Sequence, residues 1–243
     1  MIPYLKEFNE KKIKEYKKYI KKSVSNNISI EYGNKKGLEG YLYNYEEELE
    51  ETPIELIENE KIWMKISPNE IQGCFESIER ANGKVGVVGL GLGYFVQEVL
   101  KKDLVKEIIV YEINKDIIQL YKNNFGENKK LRIINKDAFE VDSEDFDFFF
   151  VDIYQYNLSL DVVKHYKKFK TLHKIKEYSF WGMEHFILSC PTHEIAWVYI
   201  PEEWMEMCKD LFERFDQSEY IKYFTPIEKG LALKVLKEFS KIL

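Results

Sequence analysis

The sequence predicts an α/β fold: a doubly wound, mostly parallel sheet with a C-terminal antiparallel hairpin, preceded by a small N-terminal helix-plus-β-hairpin appendage. Three observations carry this reading. From residue 85 onward, short apolar runs alternate with stretches of helical periodicity, the pattern that lays parallel strands between two layers of helices. The first such run, Val85-Gly86-Val87-Val88, opens into Gly89-Leu90-Gly91-Leu92-Gly93, a strand that ends in glycines just before a helix. The first 66 residues instead hold a Lys/Glu-rich helix and segments of period-two alternation.

Taken in order, residues 4–23 read as a helix with Leu5, Phe8, Ile13, Tyr16 and Ile20 as a broken apolar stripe. Its interleaved glutamates favour a solvated, peripherally packed helix over a nucleic-acid surface. Alternating residues 28–32 and 38–45, separated by the glycine-flanked turn 33–37, predict a hairpin, and 54–57 with 62–66 predict a second strand pair around 58–61. Residues 1–66 are expected to form an appendage that caps the cleft or mediates a homodimer, and residues 67–243 the main domain.

Ser67-Pro68-Asn69-Glu70 carries helix-start chemistry: Ser as N-cap, Pro at the first helical position, and Glu placed to reach back. That helix is expected to end at Asn82-Gly83. A strand at 85–88 follows, then helix 94–102, strand 107–111, helix 115–125, strand 131–134 and strand 146–151. Residues 158–176 read as helix, its lysines a solvated face. The fifth strand falls at 178–182 or at 195–200, and the pattern does not choose between them. Helix 201–215 then leads to a terminal strand pair at 220–224 and 231–236.

Of the 243 residues, 36 are Lys or Arg and 42 are Asp or Glu, a formal charge of −6 that gives no general attraction to polyphosphate. Arginine occurs only at 80, 132 and 214, which argues against an extended nucleic-acid surface, because bidentate phosphate contacts favour it. Cys74, Cys190 and Cys208 are odd in number and widely spaced, which fits reduced thiols of a cytoplasmic protein. The N-terminus lacks an apolar signal core, and no run approaches the roughly 20 apolar residues of a membrane span. The four histidines form no compact ligand set, so no metal is expected.

The chemistry concentrates at the strand ends. Glycines there leave no β-carbon between backbone and ligand, and the next helix presents unpaired N–H groups. Glu112 ends the following strand, 23 positions after Gly89, where a carboxylate can accept both hydroxyls of a ribose. Asp152 follows the apolar run 148–151 and so lies at the exit of a strand buried on both faces, where ligands of open parallel sheets gather. A dinucleotide fingerprint would need a third glycine at position 94 or 96, and those are Tyr94 and Val96.

The alternating Gly89-x-Gly91-x-Gly93 resembles the first motif of the class I S-adenosylmethionine-dependent methyltransferase family. The resemblance continues through Leu131 to Phe139, similar to that family's third motif, and Asp145 to Tyr154, similar to its fourth. It implies a Rossmann-like domain that binds S-adenosylmethionine through Gly89, Gly91, Gly93, Glu112, Ile113, Asp137, Ala138 and Asp152. Glu112 is then expected on the ribose diol, Asp137 on the adenine amino group, and Asp152 beside the methionine end, able to accept its ammonium. Many members carry an acid two residues before the first glycine; Val87 stands there, a departure shared with the spermidine-synthase-like branch, which the Glu112-Ile113-Asn114 stretch and the preceding β-rich segment also resemble.

Methyl transfer requires a base only when the acceptor loses a proton as it attacks. Asp152 and Tyr154 are the catalytic candidates, with pocket-lining roles as their alternatives. No Pro-Pro-aromatic follows Asp152, as it does in amino-methylating nucleic-acid enzymes, so the expected acceptor is a small molecule. Three rivals stand beside methyl transfer: aminopropyl transfer from decarboxylated S-adenosylmethionine, an NAD-dependent oxidoreductase, and a non-catalytic nucleoside-binding protein.

Overall fold

The structure, a computed structural model, describes residues 3–34, 40–42, 48–198 and 200–243. Helix α1 (Lys6–Lys17) buries Ile13 and Tyr16 and leads into strands β1 (Ser23–Ser25), β2 (Ile28–Tyr32), β3 (Ile54–Glu58) and β4 (Lys61–Ile66). The four strands form one antiparallel sheet in that order. Its inward residues, among them Ile28, Ile30, Ile54, Leu56 and Ile66, are at most 2% exposed. β3 and β4 are the second expected strand pair, closed by Asn59 and Glu60 at φ +49° and +64°, as a two-residue hairpin turn requires. The first expected pair is corrected: 28–32 pairs with β1 and β3, and the proposed partner 38–45 lies outside the described residues except for 40–42, where Tyr41 and Leu42 are in a turn.

Then come α2 (Pro68–Arg80), β5 (Gly83–Val88), α3 (Tyr94–Leu100), β6 (Val105–Tyr111), α4 (Lys115–Phe125), β7 (Leu131–Ile134), β8 (Asp145–Val151), α5 (Asp161–Leu172) and β9 (Lys174–Phe180). The five strands form a wholly parallel sheet ordered β7-β6-β5-β8-β9, so the Rossmann-like α/β class stands. Both faces are buried. Val85, Val87, Ile108, Val110, Phe148 and Phe150 share one core with residues of α2, α3, α4 and the antiparallel sheet. Val88, Ile109, Phe149 and Val151 share the other with α5 and the C-terminal helices. Burial on two sides explains why these strands read as unbroken apolar runs.

The fifth strand is β9, which includes Tyr178 but starts four residues earlier and ends the preceding helix at Leu172. The alternative near 195–200 is not a strand; α7 (Thr192–Ile195) follows α6 (Met183–Ser189) there. Helix α8 (Glu202–Asp216) matches expectation. The C-terminal antiparallel hairpin does not form. Glu219–Tyr223 is a 3₁₀ turn, and Lys229–Phe239 is helix α9. The short apolar run 231–236 fits strand and helix alike, but the buried set Ala232, Val235, Leu236 and Phe239 has the i, i+3, i+4, i+7 spacing of a helix. Glu228 caps it, accepting from the Gly230 and Leu231 amides. Among the described residues no helix is long and apolar enough to cross a membrane.

Candidate functional site

Register decides what meets at the sheet's carboxyl edge. Val88 at the end of β5 pairs with Tyr111 of β6 on one side and with Val151 of β8 on the other. The next residues, Gly89, Glu112 and Asp152, therefore emerge side by side. The chain order also reverses here, since β5 leads outward to β6 and β7 while β8 returns to its other flank. Such a switch point leaves a crevice above the strand ends. Gly89 turns away from β5 at φ +93°, and a β-carbon there would collide with the Asp152 carbonyl oxygen. Only glycine lets these two strand exits lie so close.

A cavity of about 360 Å³ occupies that crevice. Gly89, Gly91, Glu112, Ile113, Asp137, Ala138, Asp152 and Tyr154 all line it. Gly93 does not. It sits at the N-cap of α3 with φ +77°, donates its amide to the Leu90 carbonyl at 2.8 Å and faces the Tyr121 ring. Its role is to shape the turn. The Leu90 and Leu92 amides are also occupied, by Glu112 Oε2 at 2.9 Å and Met64 Sδ at 2.9 Å. Of the amides 89–93, that of Gly91 alone has no partner among the described residues.

Glu112 is 7% exposed, and its two oxygens accept from the Leu90 amide and, at 2.7 Å, the Asn114 amide. Burial raises its pKa, and these backbone donors oppose the rise. A carboxylate has about four acceptor sites, so capacity for a further donor remains. Asp137 caps the 3₁₀ turn Ala138–Glu140, its Oδ1 accepting from the Phe139 amide at 2.9 Å. N-cap and cavity wall are thus both true of Asp137.

Asp152 differs. Its carboxylate has no hydrogen-bond partner among the described residues, and burial together with the charge of Glu112 pushes its pKa up to about 7. Close by is Glu70, which the helix-start reading assigned to capping. Ser67 makes no side-chain cap bond, and Glu70 turns inward at 1% exposed, accepting from Trp181 Nε1 at 3.0 Å and from the Cys74 thiol at 3.4 Å. Oxygens of Glu70 and Asp152 and the Cys74 sulfur lie within 4.8 Å of one another. Burial and then Asp152 hold Glu70 well above the usual carboxylate range. The tight packing of α2 was a usable signal: Gly73 leaves room for the Trp181 indole that holds Glu70.

Tyr154 lines the cavity, but its hydroxyl meets His165 Nδ1 at 3.2 Å on α5. Burial raises its pKa, so it stays protonated. Tyr156, absent from the expected set, has a buried hydroxyl that accepts from the Lys65 amide at 2.6 Å and donates to the Lys65 carbonyl at 3.0 Å. It ties the loop after β8 to β4. Glu58, Trp63 and Met64 of the antiparallel sheet complete the wall, and Asn114 Nδ2 donates to Glu58 at 3.2 Å. Sequence spacing gave no hint of these four.

The ring of carboxylates, Glu58, Glu70, Glu112, Asp137 and Asp152, faces a single basic residue in the lining, Lys136. Such a cavity suits a ligand with hydrogen-bond donors and positive charge.

No protein-family description matches the chain, and no curated protein does. Its neighbours among solved structures are mostly S-adenosylmethionine-dependent methyltransferases, with a spermidine synthase among them. The 23S rRNA methyltransferase ErmE is 16% identical with a TM-score of 0.34, over 43% of this chain and 41% of that one. Spermidine synthase from Thermotoga maritima is 15% identical with a TM-score of 0.39, over 64% and 52%. A SAM-dependent O-methyltransferase from Thermotoga maritima is 14% identical with a TM-score of 0.34, over 57% and 46%. The chain spans 41%, 52% and 46% of the lengths of these three proteins.

Proposed function

We propose that this protein binds S-adenosylmethionine in the cavity above β5, β6 and β8 and is a methyltransferase acting on a small-molecule acceptor, with residues 67–243 as the cofactor-binding unit. The observation that carries the reading is the convergence of Gly89, Gly91, Glu112, Asp137 and Asp152 on one cavity at the switch point. The residues fit the cofactor's groups: Glu112 has acceptor capacity left for the ribose diol, Asp137 for the adenine amino group, and the bare Gly91 amide for a carboxylate. Ile113 and Ala138 add apolar surface to the lining.

The cofactor supplies a methyl group already activated by its sulfonium. The protein's task is then alignment, exclusion of water and, where the acceptor carries a proton, its removal. Asp152 is the group suited to that proton, because its carboxyl has no competing partner and titrates close to neutrality. Tyr154, with its hydroxyl engaged by His165, serves as wall rather than base.

A second reading, aminopropyl transfer from decarboxylated S-adenosylmethionine, draws on the excess of carboxylates in the lining and the lack of a basic partner for a ligand carboxylate other than Lys136. Isothermal titration with S-adenosylmethionine, S-adenosylhomocysteine, the decarboxylated cofactor and NAD separates the readings. The expected result is micromolar binding of S-adenosylhomocysteine and none of NAD. Preference for the decarboxylated form would move the assignment to aminopropyl transfer, and preference for NAD would overturn both.

A further inference from the structure

Trp63 sits at an irregularity of the antiparallel sheet. β3 and β4 pair Leu56 with Met64 and Ile57 with Ile62, so Trp63 has no partner across the ladder and forms a bulge. A bulge adds one residue to one strand and re-aims its side chains. In a regular strand, neighbouring side chains point to opposite faces. Here Trp63 and Met64 are consecutive and both line the cavity.

The two are otherwise unlike. Met64 is 8% exposed and already engaged, its sulfur accepting from the Leu92 amide of the glycine turn. Trp63 is 39% exposed, and its indole has neither a ring contact nor a hydrogen bond among the described residues. A large aromatic side chain turned onto a cavity without partners of its own is poised to gain them from a ligand, since an indole face is attracted to both flat rings and cations. The strand bearing it is tied through Met64 to Leu92 and through Lys65 to Tyr156, and its neighbour β3 through Glu58 to Asn114. The backbone at Trp63 is therefore held relative to the strand tips.

We propose that Trp63 is a ligand-contacting residue of the S-adenosylmethionine site, its indole covering the bound nucleoside cofactor and making the antiparallel sheet a working part of the site. This rests on the cofactor reading above. An indole face gains from stacking on a base and from facing a cation.

The test combines calorimetry and fluorescence with S-adenosylhomocysteine on the wild-type chain, W63F and W63A. Wild type is expected to bind with a large change in tryptophan emission. W63A should raise Kd about tenfold or more, W63F should raise it less, and both should lose most of the emission change although Trp181, Trp197 and Trp204 remain. Melting temperatures should be close to wild type, because the indole makes no ring contact or hydrogen bond among the described residues. If wild type binds and W63A binds equally well, the role of Trp63 is overturned while the cofactor reading stands. If wild type does not bind, both fall. If W63A melts early, the ligand-induced emission change in the well-folded W63F decides: retained, it overturns the proposal.

Discussion

At one side of the cavity Glu112 is buried, yet both its oxygens accept backbone amides; at the other, Asp152 has no donor and faces a second buried carboxyl, Glu70. The same residue chemistry is thus set to two tasks. Glu112 is pre-arranged as an acceptor, and its charge is partly met by fixed N–H dipoles. Asp152 lacks any such donor among the described residues, and Glu70 beside it has only the Trp181 indole N–H and the Cys74 thiol. Burial of the charge is met by donors at the first site and opposes folding at the second.

Removing the unpaired acid should expose the largest difference. Asp152 has a folded pKa of about 7 against an ordinary 3.8, so the unfolded chain gives up this proton first as pH rises. Between about pH 4 and 7 the folded state holds the extra proton; stability falls through that window and levels off above it. Asp152→Asn keeps the shape and removes the titration. It should therefore be more stable than wild type at pH 8, on the order of 3 kcal/mol, and equal to it below pH 4. Chemical denaturation at the two pH values checks this, and parallel pH profiles for the two proteins would show that Asp152 is not under strain.

The opposite outcome is expected at the satisfied acid. Glu112→Ala removes the acceptor proposed for the ribose and strands the Leu90 and Asn114 amides, so binding and folding should suffer together. Kd for S-adenosylhomocysteine should rise more than tenfold by calorimetry, and stability should fall by roughly 2 kcal/mol in a urea titration. A loss of stability with unchanged affinity would leave Glu112 as a brace of the glycine turn and nothing more.

The legible part of the site was the part written in consecutive residues. Gly89, Glu112 and Asp152 each end a buried apolar run, and a parallel ladder places strand ends together whatever the helices do. Gly93 lies outside the cavity lining, and a glycine in a turn satisfies a local dihedral as readily as a ligand. Glu70 was misread for a related reason: Ser-Pro-x-Glu is a local helix-start signal, whereas the inward turn of Glu70 depends on Trp181, more than a hundred residues away. The wall of Glu58, Trp63 and Met64 depends on a bulge and on docking between two sheets, and neither leaves a periodic mark. The terminal helix α9 is not legible from 231–236 alone, since Leu231-Ala232-Leu233-Lys234-Val235-Leu236 is a short apolar run without a decisive period.

The smallest effect tests how the two regions are coupled. Tyr156 reaches from the loop after Asp152 to both polar groups of Lys65 on β4, so it joins the unpaired acid to the sheet that carries Trp63. Its backbone is in the left-handed region at φ +49°, uncommon for a tyrosine, and the two hydrogen bonds help hold it there. Tyr156→Phe keeps the ring against Trp181 and deletes only the hydroxyl. About 1 kcal/mol of stability should be lost, because the Lys65 amide and carbonyl at the edge of β4 regain water as partners. If the hydroxyl serves only to anchor the wall, affinity for S-adenosylhomocysteine should change less than threefold. A loss as large as that of Glu112→Ala would mean that the placement of β4, and with it the indole of Trp63, sets cofactor affinity as strongly as the ribose acid does.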